Sequence, residues 1–141
     1  VPYDENNIFA KILRGEADAF HVYENDSCLA FLDVMPQSDG HTLVLPKAPA
    51  ENLFDLDPSI AGVLFQSTQM VARAVRAAFK PDGIVVTQFN GSAAGQSVFH
   101  IHMHIIPRYA DSNLRGHARR MADTAILEDH AERIRAVLAD S

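Results

Sequence analysis

The chain has 141 residues, with 12 basic against 18 acidic side chains for a net charge of −6, and 48% hydrophobic against 21% charged residues. This is ordinary globular composition at a length that suits one domain, burying about 68–70% of its unfolded surface; there is no basic stripe of the kind a nucleic-acid binder carries, Arg119-Arg120 aside, and no apolar run near the 18 or so residues of a membrane span. No signal-peptide pattern opens the chain, and the lone Cys28 cannot form an internal disulfide, so a reducing cytoplasm is the expected setting.

In chain order, Asp4 to Asn7 offer cap-type residues ahead of Ile8, Phe9, Ile12 and Leu13, a 3.6-period stripe closed by Gly15, which predicts a short helix. Ala19 to Glu24 and Cys28 to Asp33 flank the turn-rich Asn25-Asp26-Ser27 and predict a hairpin. His41 to Pro46 alternates again and makes a third strand. Asp57-Pro58 is a helix start, followed at helical spacing by Ile60, Leu64, Ser67, Val71, Ala74 and Ala78 until Pro81-Asp82-Gly83. Ile84 to Phe89 predicts a fourth strand and Val98 to Ile106 a fifth, ended by Pro107. Tyr109 to Arg120 is polar and expected to wrap the surface. Leu127, Ala131, Ile134 and Leu138 mark a last amphipathic helix capped near Asp123 or Thr124. The expected fold is α+β: a five-stranded antiparallel meander, one long helix joining strands three and four, and short terminal helices.

The chemistry concentrates in Gln96-Ser97-Val98-Phe99-His100-Ile101-His102-Met103-His104-Ile105-Ile106. Alternation on a strand puts His100, His102 and His104 on one face and Phe99, Ile101, Met103 and Ile105 on the other. Three readings follow: a plain polar face, a metal site, or a nucleophilic imidazole. Neighbouring histidines about 6.6–6.8 Å apart can chelate one ion, whereas the outer pair, about 13 Å apart, strains a three-histidine site. A neutral histidine near its reference pKa of about 6.5 can attack without an activating base. The preceding Asn90-Gly91-Ser92-Ala93-Ala94-Gly95 is small and uncharged, a loop able to present N–H groups to an anion without a metal.

Gly95 to Ile106 resembles the signature of the histidine triad family, His-φ-His-φ-His-φ-φ with φ apolar. Ile8 to Glu16, Leu29 to Gln37 and Gly40 to Lys47 resemble it too, in the family's order, so the likeness covers about residues 3–108 of one 1–141 domain. Within the family the chain is most similar to bacterial Hint-type nucleotide-binding proteins. The resemblance implies a nucleotidyl hydrolase or transferase acting at the α-phosphate of AMP phosphoramidates or related purine nucleotide esters, with no cofactor. It implies His102 as nucleophile through Nε2, its Nδ1–H held by a main-chain carbonyl, and His100 in support. His104, Gln96 and loop N–H groups would stabilise the phosphate oxygens, and Ser97 would bond the phosphate or hand a proton to the leaving group. Asp33 would accept the ribose hydroxyls, being acceptor-only. Ile8, Phe9, Val34 and Asn90 join the nucleotide-binding set, and His41 would lie behind the triad. Two protomers would pair into a ten-stranded sheet with independent sites.

One departure stands out: many bacterial members hold a structural zinc with a Cys-x-x-Cys where this chain has Asn7 and Ala10, plus a histidine near Pro49, so no structural metal is expected. The resemblance says nothing firm about residues 109–141. Alternatives are a dinucleoside polyphosphate hydrolase, a zinc hydrolase using two triad histidines with His41 or His117, and a non-catalytic nucleotide-binding regulator.

Overall fold

The computed structural model describes residues 2–111 and 121–140. His117, Arg119-Arg120 and most of the predicted surface wrap lie outside the described residues. Helix α1 (Ile8–Leu13) begins where Asn7 Oδ1 accepts the Ala10 N–H at 2.9 Å, and the chain leaves it through Gly15 at φ +77°. Strands β1 (His21–Glu24) and β2 (Cys28–Leu32) form the predicted hairpin. Asn25 Oδ1 builds its turn by accepting from Ser27 N at 2.9 Å and Cys28 N at 2.8 Å, the local bonding that favours asparagine in turns.

Strand β3 (Thr42–Pro46) leads to helix α2 (Pro58–Phe79), which starts with Pro58 behind an Asp57 cap. Strands β4 (Gly83–Thr87) and β5 (Met103–Arg108) complete the sheet, and helix α3 (Thr124–Ala139) follows, capped by Asp123. All pairings are antiparallel, in the order β1-β2-β3-β5-β4. The sheet is therefore not the expected meander. The α2 crossing lands β4 at the rim, and β5 returns into the slot between β3 and β4. Burial follows this order: β5, with a neighbour on each side, carries Ile105 and Ile106, both almost fully buried, whereas β4 at the rim exposes Val85 and Val86. At 16 residues α3 is also longer than the short terminal helix expected.

Two further differences concern β5. Its ladder starts at Met103, not Val98, because the Ile101 N–H bonds the Ala50 carbonyl at 2.9 Å instead of joining a strand. Pro107 does not end the run; it pairs with Ile84 inside the sheet. In an antiparallel strand a residue's N–H and C=O point to the same side. The Pro107 carbonyl accepts from Ser38 Oγ at 2.6 Å, beyond the end of the β3 ladder at Thr42. The missing proline N–H therefore faces Ser38 and costs no ladder bond.

The sheet has a core on each face. Val22, Ala30, Leu32, Val44, Ile101 and Ile105 pack against α2 and α3 through Leu64, Val71, Val75, Leu127 and Ile134. Phe9 and Ile12 of α1 cover Leu29, Phe31, Leu43 and Leu45 on the other. His104 pairs with Leu43 and so belongs to the α1 face, which is where the site forms. Gly40, at φ +90°, presses its backbone against Phe79 of α2; a Cβ there would meet the ring at 3.0–3.2 Å. That contact brings the turn before His41 down onto the helix layer.

Candidate active site

Each triad histidine has one tautomer, set by backbone carbonyls for His100 and His102 and by the His41 side chain for His104. The His102 Nδ1 lies 2.7 Å from the His100 carbonyl; a carbonyl only accepts, so Nδ1 carries the proton and the lone pair is on Nε2. His100 Nε2 lies 2.7 Å from the Pro46 carbonyl, so it donates, and its Nδ1 accepts from the Tyr3 hydroxyl. The Gln37 N–H donates to His41 Nδ1 at 3.0 Å, which leaves the His41 proton on Nε2. That Nε2 is 3.0 Å from His104 Nδ1, so His104 accepts there and carries its own proton on Nε2. A nucleophile's lone pair on His102 thus stands beside a ring N–H donor on His104, the two rings 4.9 Å apart.

These rings are sheltered. His100 is fully buried, His104 is 3% and His102 7% exposed. Burial holds the His100 pKa below its ordinary value, with the Pro46 carbonyl opposing. Phe9 meets the His102 ring edge-on at 4.8 Å, and Phe89 stands 5.4 Å from His104.

A hollow of about 450 Å³ opens on this face, within the usual range for a small-molecule site. Seven of the eleven predicted residues line it: Ile8, Phe9, Asp33, Val34, Ser97, His102 and His104. Ile12, Phe31, Leu43 and Val98 complete an apolar wall that sequence reading did not assign to the site. The signals were present in part. Ile12 is one helical turn from Ile8, and Phe31 and Leu43 are register partners on adjacent strands. Asp33 stands at the rim, where Oδ1 accepts from Met35 N at 2.9 Å and Oδ2 is 3.5 Å from His41 Nε2.

The other four predicted residues stand behind the hollow. His100 and His41 set tautomers, as above. Gln96 is 4% exposed, and its side chain braces the loop: Oε1 accepts from Gly91 N at 2.8 Å, and Nε2 donates to the carbonyls of Glu51 at 2.7 Å and Val98 at 3.0 Å. Asn90 Oδ1 accepts from Leu53 N at 2.9 Å and Gln88 Nε2 at 2.7 Å. The intervening loop closes on itself through a single 3₁₀ turn at Ser92–Ala94 between Gly91 (φ +92°) and Gly95 (φ +103°), using the N–H groups of Ala94, Gly95 and Gln96. Both glycines occupy the left-handed region that disfavours side chains.

Asp33, His41 and His104 bring one ligand atom each within 4.8 Å of one another, which raises the metal reading again. The donor set does not fit. A metal at His41 Nε2 needs a lone pair there, but the Gln37 N–H already claims the Nδ1 lone pair, so a neutral His41 keeps its proton on Nε2. The cluster is a hydrogen-bond string.

Sheet, helices and histidine string together define a nucleotide-binding hydrolase and transferase class, and residues 14–111 match the HIT domain family model. The chain belongs to that family and is Hint-like. It is 48% identical over 105 residues to Protein hit of Bacillus subtilis, covering 74% of this chain and 72% of that protein. It is 37% identical over 120 residues to the adenylylsulfatase HINT3 of Arabidopsis thaliana, covering 81% of this chain and 61% of that protein. A solved Hit-like protein involved in cell-cycle regulation, from Bartonella henselae, superimposes with a TM-score of 0.90 at 46% identity, covering 96% of this chain and 99% of that one.

Proposed function

We propose that this protein is a nucleotidyl hydrolase that cleaves AMP phosphoramidates or related purine nucleotide esters at the α-phosphate through a nucleotidyl-histidine intermediate. The observation that carries it is the 2.7 Å bond from His102 Nδ1 to the His100 carbonyl, which puts the lone pair on Nε2 of a ring that lines the hollow. The base rests among Ile8, Phe9, Ile12 and Phe31, and the Asp33 carboxylate at the rim accepts the ribose hydroxyls.

His102 Nε2 attacks phosphorus: the N–P bond forms, the bond from phosphorus to the leaving group breaks, and the leaving atom takes the electron pair. The His104 Nε2–H donates to a phosphate oxygen as charge builds on it, the kind of preorganised donor worth about 10²–10³ in rate. The His41–Gln37 string holds that donor in the right tautomer. Ser97 supplies a proton to an amine leaving group and regains one from the water of the second step. Water then attacks the phosphorus, the N–P bond breaks, and the mononucleotide leaves with His102 restored.

The Gln96 side chain is already occupied with Glu51, Val98 and Gly91, so its part is to shape the loop that carries Ser97, and Asn90 acts likewise. Adenylyl sulfate is the alternative substrate class, favoured by the name of the Arabidopsis relative; its sulfate leaves without needing a proton. The test is single-turnover kinetics on an adenosine phosphoramidate and on adenylyl sulfate, with AMP binding measured alongside. His102→Ala should abolish turnover of both and leave AMP affinity within a few-fold, because His104, the other histidine of the described residues that lines the hollow, carries its proton on Nε2 and its Nδ1 lone pair is held by His41. A variant that keeps more than a small fraction of the rate removes His102 as nucleophile. A wild-type protein that binds AMP and turns over neither compound is a regulatory nucleotide binder.

A further inference from the structure

Tyr3 and Asn7 precede the residues that match the family model, yet both are bonded into the triad. Asn7 Nδ2 donates to Tyr3 Oη at 2.9 Å, and the Tyr3 hydroxyl reaches His100 Nδ1. The Tyr3 and His100 rings stack edge-on, 5.7 Å between centroids. His100 is fully buried, and its Nε2–H is committed to the Pro46 carbonyl. Its Nδ1 lone pair therefore needs a donor from within the protein, since an unsatisfied buried acceptor is costly. Tyr3 is that donor. The same residue, His100, supplies the carbonyl that fixes the His102 tautomer.

We propose that Tyr3 is a positioning residue for the triad: its hydroxyl locks the His100 ring, and through that residue the carbonyl that aims His102. The string is continuous from the α1 cap to the attacking atom. Asn7 Oδ1 caps α1 at Ala10 N, its Nδ2 orients Tyr3, Tyr3 holds His100, and His100 holds His102. Phe9 of the same short helix braces the His102 ring from its other side. The N-terminal segment thus grips two successive triad histidines at once, His100 through a hydrogen bond and His102 through the edge of a core phenylalanine. This inference rests on His102 as the nucleophile, and the experiment below keeps the two apart.

Two variants of the full-length protein test it. Tyr3→Phe keeps the ring and deletes the donor. Asn7→Asp keeps an oxygen to cap α1 but replaces the Nδ2 donor with an acceptor that competes for the Tyr3 proton. Each should slow single turnover of an adenosine phosphoramidate by about tenfold, the rate equivalent of one ordinary buried hydrogen bond. AMP affinity should stay within about twofold, because neither group lines the hollow. Tyr23→Phe, which removes a hydroxyl that among the described residues accepts from nearby Asn25 at 3.3 Å, should leave the rate unchanged.

Imidazole ¹⁵N spectra should show His100 as a single Nε2–H tautomer in the wild type and as a mixture in both variants. A rate that holds in Tyr3→Phe overturns the proposal, whatever the spectrum does. So does a rate that falls while the His100 spectrum stays unchanged, or one that falls only in step with AMP affinity. If the wild type proves to turn over no nucleotide, the nucleophile reading fails, and the spectra alone decide whether Tyr3 holds His100.

Discussion

His100 enters no chemical step, yet its neutral form is built into the fold. Burial lowers its pKa and the Pro46 carbonyl only partly offsets this, so between the folded value and the unfolded one of about 6.5 the unfolded chain binds the extra proton. Stability from this site is complete above that unfolded value. It is lost as pH falls from there toward the folded value, and the slope flattens below it. Urea unfolding of wild type and His100→Asn across this range should show a shallower slope in the variant; parallel slopes would mean that His100 is not the group responsible. Asp33 offers a second residue-scale test. Asp33→Asn keeps an oxygen for the Met35 N–H but removes the carboxylate, and should weaken AMP by about 1.5–3 kcal/mol, the range for hydrogen bonds to charged groups. A 2′-deoxy nucleotide should bind the wild type less well and lose less on substitution. Equal losses in a titration of both sugars would leave Asp33 as the turn former at the end of β2.

Among the elements, α2 has well-made ends with one exception. Asp57 accepts from both Ser59 N at 2.8 Å and Ser59 Oγ at 2.7 Å, but the C-terminal cap, Lys80, sits at φ 49° and ψ 50°. This left-handed conformation costs a residue with a Cβ about 1–2 kcal/mol, partly offset by the greater unfolded freedom of glycine. Lys80→Gly should therefore raise stability by about 0.5–1 kcal/mol in chemical denaturation, with turnover unchanged; a loss of stability would show that the Lys80 side chain contributes more than its backbone costs. The short α1 matters in another way. Its apolar face covers one side of the sheet and lines the hollow, while its cap continues into the triad string. Core packing and site construction share six residues there.

At the scale of the molecule, the sheet ends in a rim strand that is too apolar to face water comfortably. Val85 is 39% and Val86 43% exposed, and Phe65 of α2 (64%) lines a shared hollow with Val86. An open, apolar edge is a pairing template, and the ten-stranded homodimer expected from the family would cover it. Sedimentation equilibrium should give a dimer, and Val86→Lys should shift it toward monomer; a monomeric wild type at micromolar concentration would leave the patch to another partner.

The periodicities were legible without coordinates. The alternation of His102, Met103, His104 and Ile105 did separate imidazoles from core, because the pleat sends neighbours to opposite faces whatever their tertiary setting. The 3.6-period stripe of α2, its Asp57-Pro58 start and the α3 cap at Asp123 are likewise local chemistry, set by backbone bonds within a few residues. The family likeness, carried by short stretches in order, brought Asp33, Ile8, Phe9, Val34 and Ser97 together on paper, and all of them line the hollow. What only the tertiary structure decided were relations between distant segments. The place of β5 between β3 and β4 is a relation among three strands that no single strand contains. Pro107 is tolerated mid-sheet because Ser38, 69 residues away in sequence, meets its carbonyl. The histidine tautomers follow from carbonyls and N–H groups at Pro46, His100 and Gln37, whose positions relative to the rings exist only once the sheet has closed. Tyr3 lies 97 residues from His100, with no local pattern to mark it, and its role arises because folding leaves one buried lone pair that only its hydroxyl satisfies.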